Sequence, residues 1–277
     1  MRHQKLAAFF GFKWNPFSAD VPTHALWTPP AVASFCRRVD HLCGQGGFAL
    51  VTGEPGSGKT VALRLLADHL AQIPEVTVGI LARPQSGLAD FYRELGDLFG
   101  VELRPHNRWC SFKDLRQRWL AQAESSLVKP ILLIDEAQET FPPVLSELRI
   151  LASGSFETQT YLTVVLAGDS RLLTRLSTPD LLPLSSRIRT RLACDHATRK
   201  QLLNVLTHAL QTAGNPGLIK DSLQEILVEH AGGNYRSLMT MAGELLLAAH
   251  EKEEAVITED LFFELYHQGA DKKRRNQ

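Results

Sequence analysis

The chain has 277 residues, 44% of them hydrophobic, which is enough for a large α/β domain and a smaller second domain. Lysine and arginine (30) balance aspartate and glutamate (30), so the chain lacks the overall basic excess of many nucleic-acid-binding proteins, and any such surface has to be local. The sequence has no apolar run long enough to span a membrane and no secretory signal, which predicts a cytoplasmic protein without membrane contact.

Residues 1–30 are rich in aromatic residues and prolines, which excludes one continuous helix. Aromatic side chains such as Phe10 and Phe12 need an apolar surface, and the nearest one along the sequence is the domain that begins at Ala31. We therefore predict that residues 1–30 pack on that domain. Apolar residues three and four positions apart predict a helix from Ala31 to Cys43.

A phosphate-binding motif follows the predicted strand Phe48–Val51 and precedes a helical pattern that begins at Val61. Its residues match G-x-x-x-x-G-K-[ST] at every fixed position and are Gly53, Glu54, Pro55, Gly56, Ser57, Gly58, Lys59 and Thr60. Main-chain N–H groups of such a loop and the following helix N-terminus bind phosphates, Lys59 reaches the β/γ-phosphates, and the Thr60 hydroxyl binds Mg²⁺. The alternative, a glycine-rich turn with a chance lysine, does not account for the flanking strand and helix. The predicted nucleotide site extends from Gly53 to Val61.

A strand at Val76–Ala82 and helices at Gly87–Phe99 and Ser111–Ser125 are predicted next. Basic and aromatic residues cluster before and along the second of these helices. They are Arg104, His106, Arg108, Trp109, Lys113, Arg116, Arg118 and Trp119. Such a patch could contact DNA phosphates, with Lys113 and Arg116 as the chosen candidates, and the contact would be strongly salt-dependent. The alternative is an amphipathic helix with a solvated basic face.

Four apolar residues, Ile131–Ile134, are followed directly by Asp135 and Glu136. A run that is apolar at every position predicts a strand covered on both faces, as in a parallel sheet. At the end of that strand Asp135 would hold a water of the Mg²⁺ shell, and Glu136 would orient and polarise the attacking water. Without the P-loop, an Asp-Glu pair would indicate only a solvated loop.

A helix at Val144–Ala152 and a buried strand at Tyr161–Ala167 follow. The strand ends in Gly168, and a polar side chain after it can face the γ-phosphate. Asp169 or Ser170 is the candidate, and the alternative is a neutral turn.

Three arginines occupy alternate positions, Arg187, Arg189 and Arg191. On an extended segment they would share a face, whereas on a helix they would not. An arginine presented to another subunit's γ-phosphate can stabilise the charge that develops during phosphoryl transfer, which makes this the candidate finger segment. Surface solubility is the alternative interpretation for each of the three.

From Thr198 onward four apolar patterns with helical spacing predict a small all-helical domain, with the domain joint near Asp195–Thr198. Arg236 lies in the first turn of the third of these helices. A cation gains nothing from the helix dipole at that end, so the position of Arg236 indicates a bound anion. The last residues, 269–277, form a short basic tail that is typical of a solvated terminus.

The order of these motifs resembles the AAA+ ATPases, and specifically their ExeA-like branch. The matching segments are Phe10-Gly11-Phe12 with Pro16-Phe17-Ser18, Asp135-Glu136-Ala137-Gln138, and Glu147–Leu151 with Phe156-Glu157-Thr158. The sequence departs from the branch at Gly168-Asp169, where a Gly-Gln pair is usual.

The resemblance implies a three-layer α/β sandwich over residues 31–196, with a parallel five-stranded sheet, and a helical lid over residues 197–268. It also implies ATP and Mg²⁺ as cofactors. By likeness, Arg187 or Arg191 is the finger that acts on a neighbouring subunit, Arg236 is the lid sensor, Asp169 occupies the sensor position after the strand, and Phe17 borders the adenine.

The resemblance further implies a homo-oligomer, either a ring or a helical filament, with ATP hydrolysed between subunits. Because the chain ends after the predicted lid, without the membrane helix and cell-wall-binding domain of the secretion members, it looks like the transposon helper ATPases of the MuB, TniB and TnsC kind. Such proteins assemble on duplex DNA and mark a target for a transposase. The alternatives are an assembly ATPase of a secretion system and a nucleotide-dependent scaffold with little turnover.

Overall fold

The computed structural model describes residues 2–82, 84–103, 107–125, 128–154 and 159–266. These residues form two compact units, one from Pro30 to Cys194 and the other from the residues before Pro30 together with those after Cys194. The change from one unit to the other at Asp195 falls at the predicted domain joint. Several predicted features lie outside the described residues, namely Arg104, His106, the Phe156-Glu157-Thr158 motif and the basic tail 269–277.

Helices and strands are interleaved within the α/β unit, and only helices occur before and after it in the described part of the chain. The helices are α1 (Arg2–Phe10), α2 (Pro30–Gln45), α3 (Lys59–Ala71), α4 (Leu88–Phe99), α5 (Arg108–Ser125), α6 (Pro142–Ala152), α7 (Ser170–Leu176), α8 (Leu182–Ser185), α9 (Arg199–Ala213), α10 (Asp221–Ala231) and α11 (Tyr235–Glu251). The strands are β1 (Gly47–Gly53), β2 (Val76–Leu81), β3 (Lys129–Ile134), β4 (Ser153–Gly154), β5 (Gln159–Thr160), β6 (Thr163–Gly168) and β7 (Ile188–Cys194). A further helix occupies residues 259–266.

Five strands form a parallel sheet in the order β2-β3-β6-β1-β7. Strands β4 and β5 form a short antiparallel pair outside it. Side chains of successive strand residues point to opposite faces, so a strand that is apolar throughout needs cover on both sides. On β1, Phe48 and Leu50 join the core beneath α4 to α8, whereas Ala49 and Val51 join the core beneath α2 and α3. The predicted three-layer sandwich with a five-stranded parallel sheet is therefore confirmed.

The sheet topology brings the functional strand ends to one edge. Strand β6 lies between β1 and β3, and all three run in the same direction. Their carboxyl ends, at Gly53, Ile134 and Gly168, therefore meet at the same edge, where parallel α/β sheets bind their ligands.

The arginine segment contains the fifth strand. Strand β7 is an edge strand, on which Thr190 and Leu192 are buried and Arg189 and Arg191 are exposed. The extended alternative therefore holds for these two arginines. Arg187 does not share it, because it lies in the turn that precedes β7.

The second unit is helical and has its own core, formed by α9, α10, α11 and the helix at 259–266. Residues 1–30 differ from the prediction, because Leu6, Phe10 and Phe12 belong to this helical core and not to that of the α/β unit. Main-chain and amide hydrogen bonds hold the segment there, from Lys13 N to Ala213 O (2.9 Å) and from Asn215 Nδ2 to Phe10 O (2.9 Å). The prediction for residues 1–30 was wrong because it took the nearest domain along the sequence as the packing partner. A small helical domain leaves apolar faces exposed, and aromatic residues from a distant part of the chain can cover them.

Across the described residues, no helix combines the length and the apolar character that crossing a membrane requires.

Candidate nucleotide-binding site

The phosphate loop is shaped by glycines. Gly56 (φ 83°) and Gly58 (φ 95°) have left-handed backbone conformations that favour residues without a Cβ atom. At Gly53 a Cβ atom would lie 2.3 Å from the Cys194 carbonyl oxygen, so strand β7 approaches the loop too closely for any side chain there. The loop leads directly into α3, whose first residue is Lys59.

Two side chains of the loop have the properties of a phosphate site. The Lys59 ammonium is buried and donates to the carbonyl oxygens of Gly53 (2.8 Å) and Glu54 (3.2 Å). The Ser57 hydroxyl is also buried, and it has no hydrogen-bond partner in the described part of the chain. Buried polar groups are nearly always paired, so an unpaired hydroxyl beside a buried cation fits a site for an anionic ligand.

Thr60 and Asp135 come from different elements and meet at this edge. The Thr60 hydroxyl donates to Asp135 Oδ2 at 2.7 Å. A hydroxyl and a carboxylate are hard oxygen ligands of the kind that Mg²⁺ takes when it keeps several of its waters. Thr60 and Asp135 therefore fit as ligands of the Mg²⁺ that accompanies a nucleoside triphosphate.

Glu136 is exposed and has a left-handed backbone conformation (φ 50°), which is uncommon for a residue other than glycine. Its N–H donates to Asp135 Oδ1 at 2.9 Å, and its carboxylate accepts a hydrogen bond from the Gln138 amide. Non-glycine residues in sparsely populated backbone regions cluster at functional sites, so the geometry agrees with the predicted role of Glu136 in aiming water.

Asp169 lies at the predicted place after β6, but its side chain is engaged in its own helix. Its carboxylate caps α7 by accepting from Arg171 N (2.9 Å) and also pairs with the Arg171 guanidinium. This hydrogen bonding to Arg171 holds the pKa of the Asp169 carboxyl below its usual value. The neighbouring Ser170 is exposed at the first position of α7.

Two residues of this edge were not among the predicted site residues. Gln138, 6% exposed, has its side-chain amide between Glu136 and the main chain of Asp169, and Arg175 donates to the carbonyl oxygens of Gln138 and Thr140. Nothing local in the sequence indicates the contacts with Asp169 and Arg175, because these partners are more than thirty residues from the residues they contact. A glutamine two residues after Glu136 is the one sequence signal that could have drawn attention to Gln138.

Arg187 lies far from the phosphate loop of its own subunit. Strand β7 pairs with β1 in parallel, so that Ile188 is opposite Phe48 and Cys194 is opposite Gly53. Arg187 is seven residues from the end of the strand that reaches the loop, which at about 3.3 Å a residue is a separation of roughly 20 Å. An arginine at this position cannot act on its own nucleotide.

Arg236 and Phe17 both belong to the helical unit. Arg236 is exposed at the second position of α11, whose N-cap Asn234 accepts from Ser237 N at 3.1 Å. Phe17 is partly buried against the helical core. Their predicted contacts with the nucleotide stay predictions.

The basic patch divides into packed and exposed residues. Arg108 donates to Glu147, Trp119 is buried in the core, and the Arg116 guanidinium lies over the rings of Phe112 (5.1 Å) and Tyr161 (5.0 Å). Of the aromatic residues predicted to serve DNA, Trp119 is therefore excluded as a contact. Trp109, 71% exposed, and Lys113 remain on the surface of α5.

Comparison with known proteins finds a family model and a curated relative that match this chain. Residues 41–176 match the family model described as AAA domain. General secretion pathway protein A of Aeromonas hydrophila is 29% identical over 248 residues, which are 87% of this chain and 44% of that protein. The chain therefore spans less than half the length of this relative.

Solved structures share the fold at low sequence identity. Cdc6p from Pyrobaculum aerophilum has a TM-score of 0.71 and 17% identity, with 87% of this chain and 67% of that chain covered. The ORC1 protein of Aeropyrum pernix, solved in complex with DNA, has a TM-score of 0.68 and 16% identity, with 91% and 68% covered. The Holliday junction branch migration motor RuvB of Thermotoga maritima has a TM-score of 0.55 and 18% identity, with 92% and 72% covered.

The AAA domain match and the P-loop fold together support the predicted enzyme class, an ATP hydrolase. Residues 41–176 thus carry the AAA domain match, and their candidate nucleotide site lies at the carboxyl edge of the parallel sheet.

Proposed function

We propose that this chain hydrolyses ATP between copies of itself in the cytoplasm and assembles on duplex DNA as a transposition helper that recruits a transposase. The observation that carries the hydrolytic part is the convergence of Lys59, Thr60, Asp135 and Glu136 at one sheet edge, with Thr60 and Asp135 joined at 2.7 Å. A nucleotide-dependent scaffold with little turnover would not need an exposed carboxylate beside the Mg²⁺ ligands.

The residues of this edge divide the work of hydrolysis. The main-chain N–H groups of residues 53–60 and the Lys59 ammonium would hold the β- and γ-phosphates. Thr60 and Asp135 would hold Mg²⁺, which neutralises charge on the phosphates once it is bound. Glu136 would accept a hydrogen bond from the attacking water and aim it at the γ-phosphate.

A neighbouring subunit would complete the site. Since Arg187 lies roughly 20 Å from the loop of its own chain, it would act on the nucleotide of the next subunit, and Arg191 is the other candidate for this role. The assembly would be a ring or a helical filament. Arg236 would contact the γ-phosphate as a lid residue, and Phe17 would border the adenine.

The DNA part of the proposal is supported by the surface of α5. Trp109 is exposed and stacks on Phe112, with ring centroids 5.9 Å apart. Lys113 lies one turn further along the same face and is exposed, as Arg118 is. An exposed aromatic plane beside exposed cations suits a nucleic acid, and Arg116 would add positive charge beneath it.

A second candidate function is assembly of a secretion complex. The 29% identity to general secretion pathway protein A favours it. In that case the protein would be an ExeA-like assembly ATPase, and duplex DNA would have no effect on hydrolysis.

The test is the ATPase rate with and without duplex DNA over a salt series from about 50 to 200 mM, together with electron microscopy of the assemblies. We expect stimulation by DNA that declines steeply with salt, and filaments or rings on the DNA. Lys113→Gln should reduce the slope of log K for DNA binding against log salt concentration by about 1, which corresponds to one lost phosphate contact. Lys200→Gln, which removes an exposed lysine of the helical unit, should leave the slope unchanged. Stable ATP turnover without any DNA effect would reject the transposition role and leave the secretion candidate.

A further inference from the structure

Gln138 is a buried polar residue at the nucleotide edge whose contacts the proposed mechanism does not yet use. Its side chain is 6% exposed. The amide nitrogen donates to the Glu136 carboxylate, and the amide oxygen accepts from the Asp169 main-chain N–H at 3.3 Å. One side chain thus joins Glu136, the second residue after β3, to Asp169, the residue that follows β6.

Chemistry allows only one orientation of this amide. An ionised carboxylate only accepts hydrogen bonds and a main-chain N–H only donates, so the amide NH₂ has to face Glu136 and the amide oxygen has to face Asp169. A flipped amide would lose both bonds and bring oxygen against oxygen. The orientation of the amide therefore depends on the positions of both Glu136 and Asp169.

The surroundings leave no other place for the amide. At Gly168 a Cβ atom would lie 2.6 Å from Gln138 Oε1, so the glycine provides the space that the amide occupies. Arg175 of α7 holds the main chain on the other side by donating to the carbonyl oxygens of Gln138 and Thr140. Contacts from β6 and α7 thus restrain the turn at residues 138–140, and the Gln138 amide donates to the exposed Glu136 carboxylate.

We infer that Gln138 is a positioning residue that couples the β6–α7 junction to the direction of the Glu136 carboxylate. The junction is the segment expected to face the γ-phosphate, through Asp169 or Ser170. A displacement of the Asp169 N–H would move the Gln138 amide and turn the carboxylate that aims the water. This inference rests on the proposed hydrolytic role of Glu136.

Two substitutions separate the halves of the coupling. Gln138→Leu has a similar size and removes both hydrogen bonds. Gln138→Glu keeps an acceptor for the Asp169 N–H but replaces the donor toward Glu136 with a second carboxylate. Thr140→Val is the matched control, because the Thr140 hydroxyl is buried in the same turn without a hydrogen-bond partner in the described part of the chain.

We expect Gln138→Leu and Gln138→Glu to lower kcat by about 10- to 100-fold, while KM for ATP and the Kd of a fluorescent ATP analogue change by less than about twofold. Such a split is the signature of a lost interaction that acts only in the transition state. In the Glu136→Gln background, Gln138→Leu should cause no further loss, because residues that act through one another are not additive. Thr140→Val should leave all these values unchanged.

Amide hydrogen exchange without nucleotide provides a readout that does not depend on activity. The Asp169 amide should exchange faster in Gln138→Leu than in the wild type, and it should stay protected in Gln138→Glu and in Thr140→Val. Melting temperatures are measured first, and if Gln138→Leu does not fold, Gln138→Glu carries the kinetic test alone.

The positioning role is overturned if both Gln138 variants turn over ATP at the wild-type rate, or if Gln138→Leu slows the Glu136→Gln enzyme by its full factor. These outcomes differ from failure of the proposed function, in which the wild type itself shows no turnover and Glu136→Gln changes nothing. In that event the positioning role is rejected as well, whatever the exchange result.

Discussion

Lys59 links the strand, the loop and the helix of the nucleotide site through a single side chain. Its ammonium donates hydrogen bonds to the carbonyl oxygens of Gly53 and Glu54, and the residue is buried. The positive charge is therefore held within the loop and shielded from bulk water. A buried cation of this kind is stabilised further by an anion beside it. The same loop leaves the Ser57 hydroxyl without a hydrogen-bond partner among the described residues.

Lys59→Ala should weaken ATP binding by at least about 100-fold, since a charge-assisted contact to phosphate is lost and no other buried cation is available in the loop. Titration with a fluorescent ATP analogue measures the effect. Lys200→Ala, which removes an exposed lysine at the start of α9, serves as the control and should bind normally. Unchanged affinity in Lys59→Ala would contradict the assignment of the loop.

Arg187→Ala should reduce turnover in assemblies by at least about 100-fold and leave nucleotide binding by single subunits intact, because the arginine would act only on the transition state of a neighbour. Arg191→Ala tests the other candidate. Arg189→Ala is the matched control, since Arg189 already donates to Gln45 of its own chain at 3.0 Å.

Mixing Arg187→Ala with Lys59→Ala subunits provides the decisive measurement. A mixed interface can combine an intact loop from one subunit with an intact arginine from the other, and part of the activity should return. If no mixture regains activity for either arginine, the shared site is rejected.

At the scale of elements, a buried polar network joins three helices of the α/β unit. Glu147 of α6 is 2% exposed and accepts hydrogen bonds from Tyr92 of α4 and Arg108 of α5. Burial, and then the bond to Glu147, raise the pKa of the Tyr92 phenol above its ordinary value. Because the Arg108 guanidinium is bonded to Glu147, its charge is already paired and adds little to the basic patch.

Tyr92→Phe should lower the free energy of unfolding by about 1.5–3 kcal/mol near neutral pH, because a buried carboxylate loses a hydrogen bond. The phenol ionises near pH 10 in the unfolded chain and at higher pH in the folded one, so its contribution is complete below about pH 10 and is lost as the pH rises further. Urea unfolding near pH 8 and above pH 10 measures both effects.

The wild type should therefore lose more stability than Tyr92→Phe over the alkaline range. Tyr266→Phe is the comparison. The Tyr266 hydroxyl donates to Glu244 at 2.6 Å in an exposed position, so the loss of this bond should lower the free energy of unfolding by less. Equal stability of Tyr92→Phe and the wild type near pH 8 would show that the network contributes nothing.

At the scale of the whole molecule, the α/β unit holds the loop, the acidic pair and the arginine segment, and Arg187 lies seven residues before Cys194, which pairs with Gly53. In the proposed mechanism a second copy would complete the hydrolytic site. The helical unit carries Arg236 and Phe17, whose contacts with the nucleotide stay predictions.

Glu136→Gln should bind ATP with nearly wild-type affinity but hydrolyse it about 100-fold or more slowly, since the amide cannot accept a proton from the attacking water. Assemblies that depend on the γ-phosphate would then persist after ATP addition, whereas wild-type assemblies would disperse as ATP is consumed. Light scattering over time, with phosphate release measured in parallel, follows both. Normal turnover in this variant would remove Glu136 from the mechanism.

The sequence alone determined the P-loop, the acidic pair after a buried strand, the main helices and strands around these motifs and the helical pattern after Thr198. Each of these depends on local spacing and on residue chemistry that needs no distant partner. The tertiary structure alone decided that residues 188–194 contribute the edge strand and that residues 1–30 pack on the helical unit. It also decided that Arg108 and Trp119 belong to packing and that Gln138 joins Glu136 to Asp169. Those features depend on contacts between segments far apart in the chain, and periodicity and motif spacing carry no information about which distant groups meet.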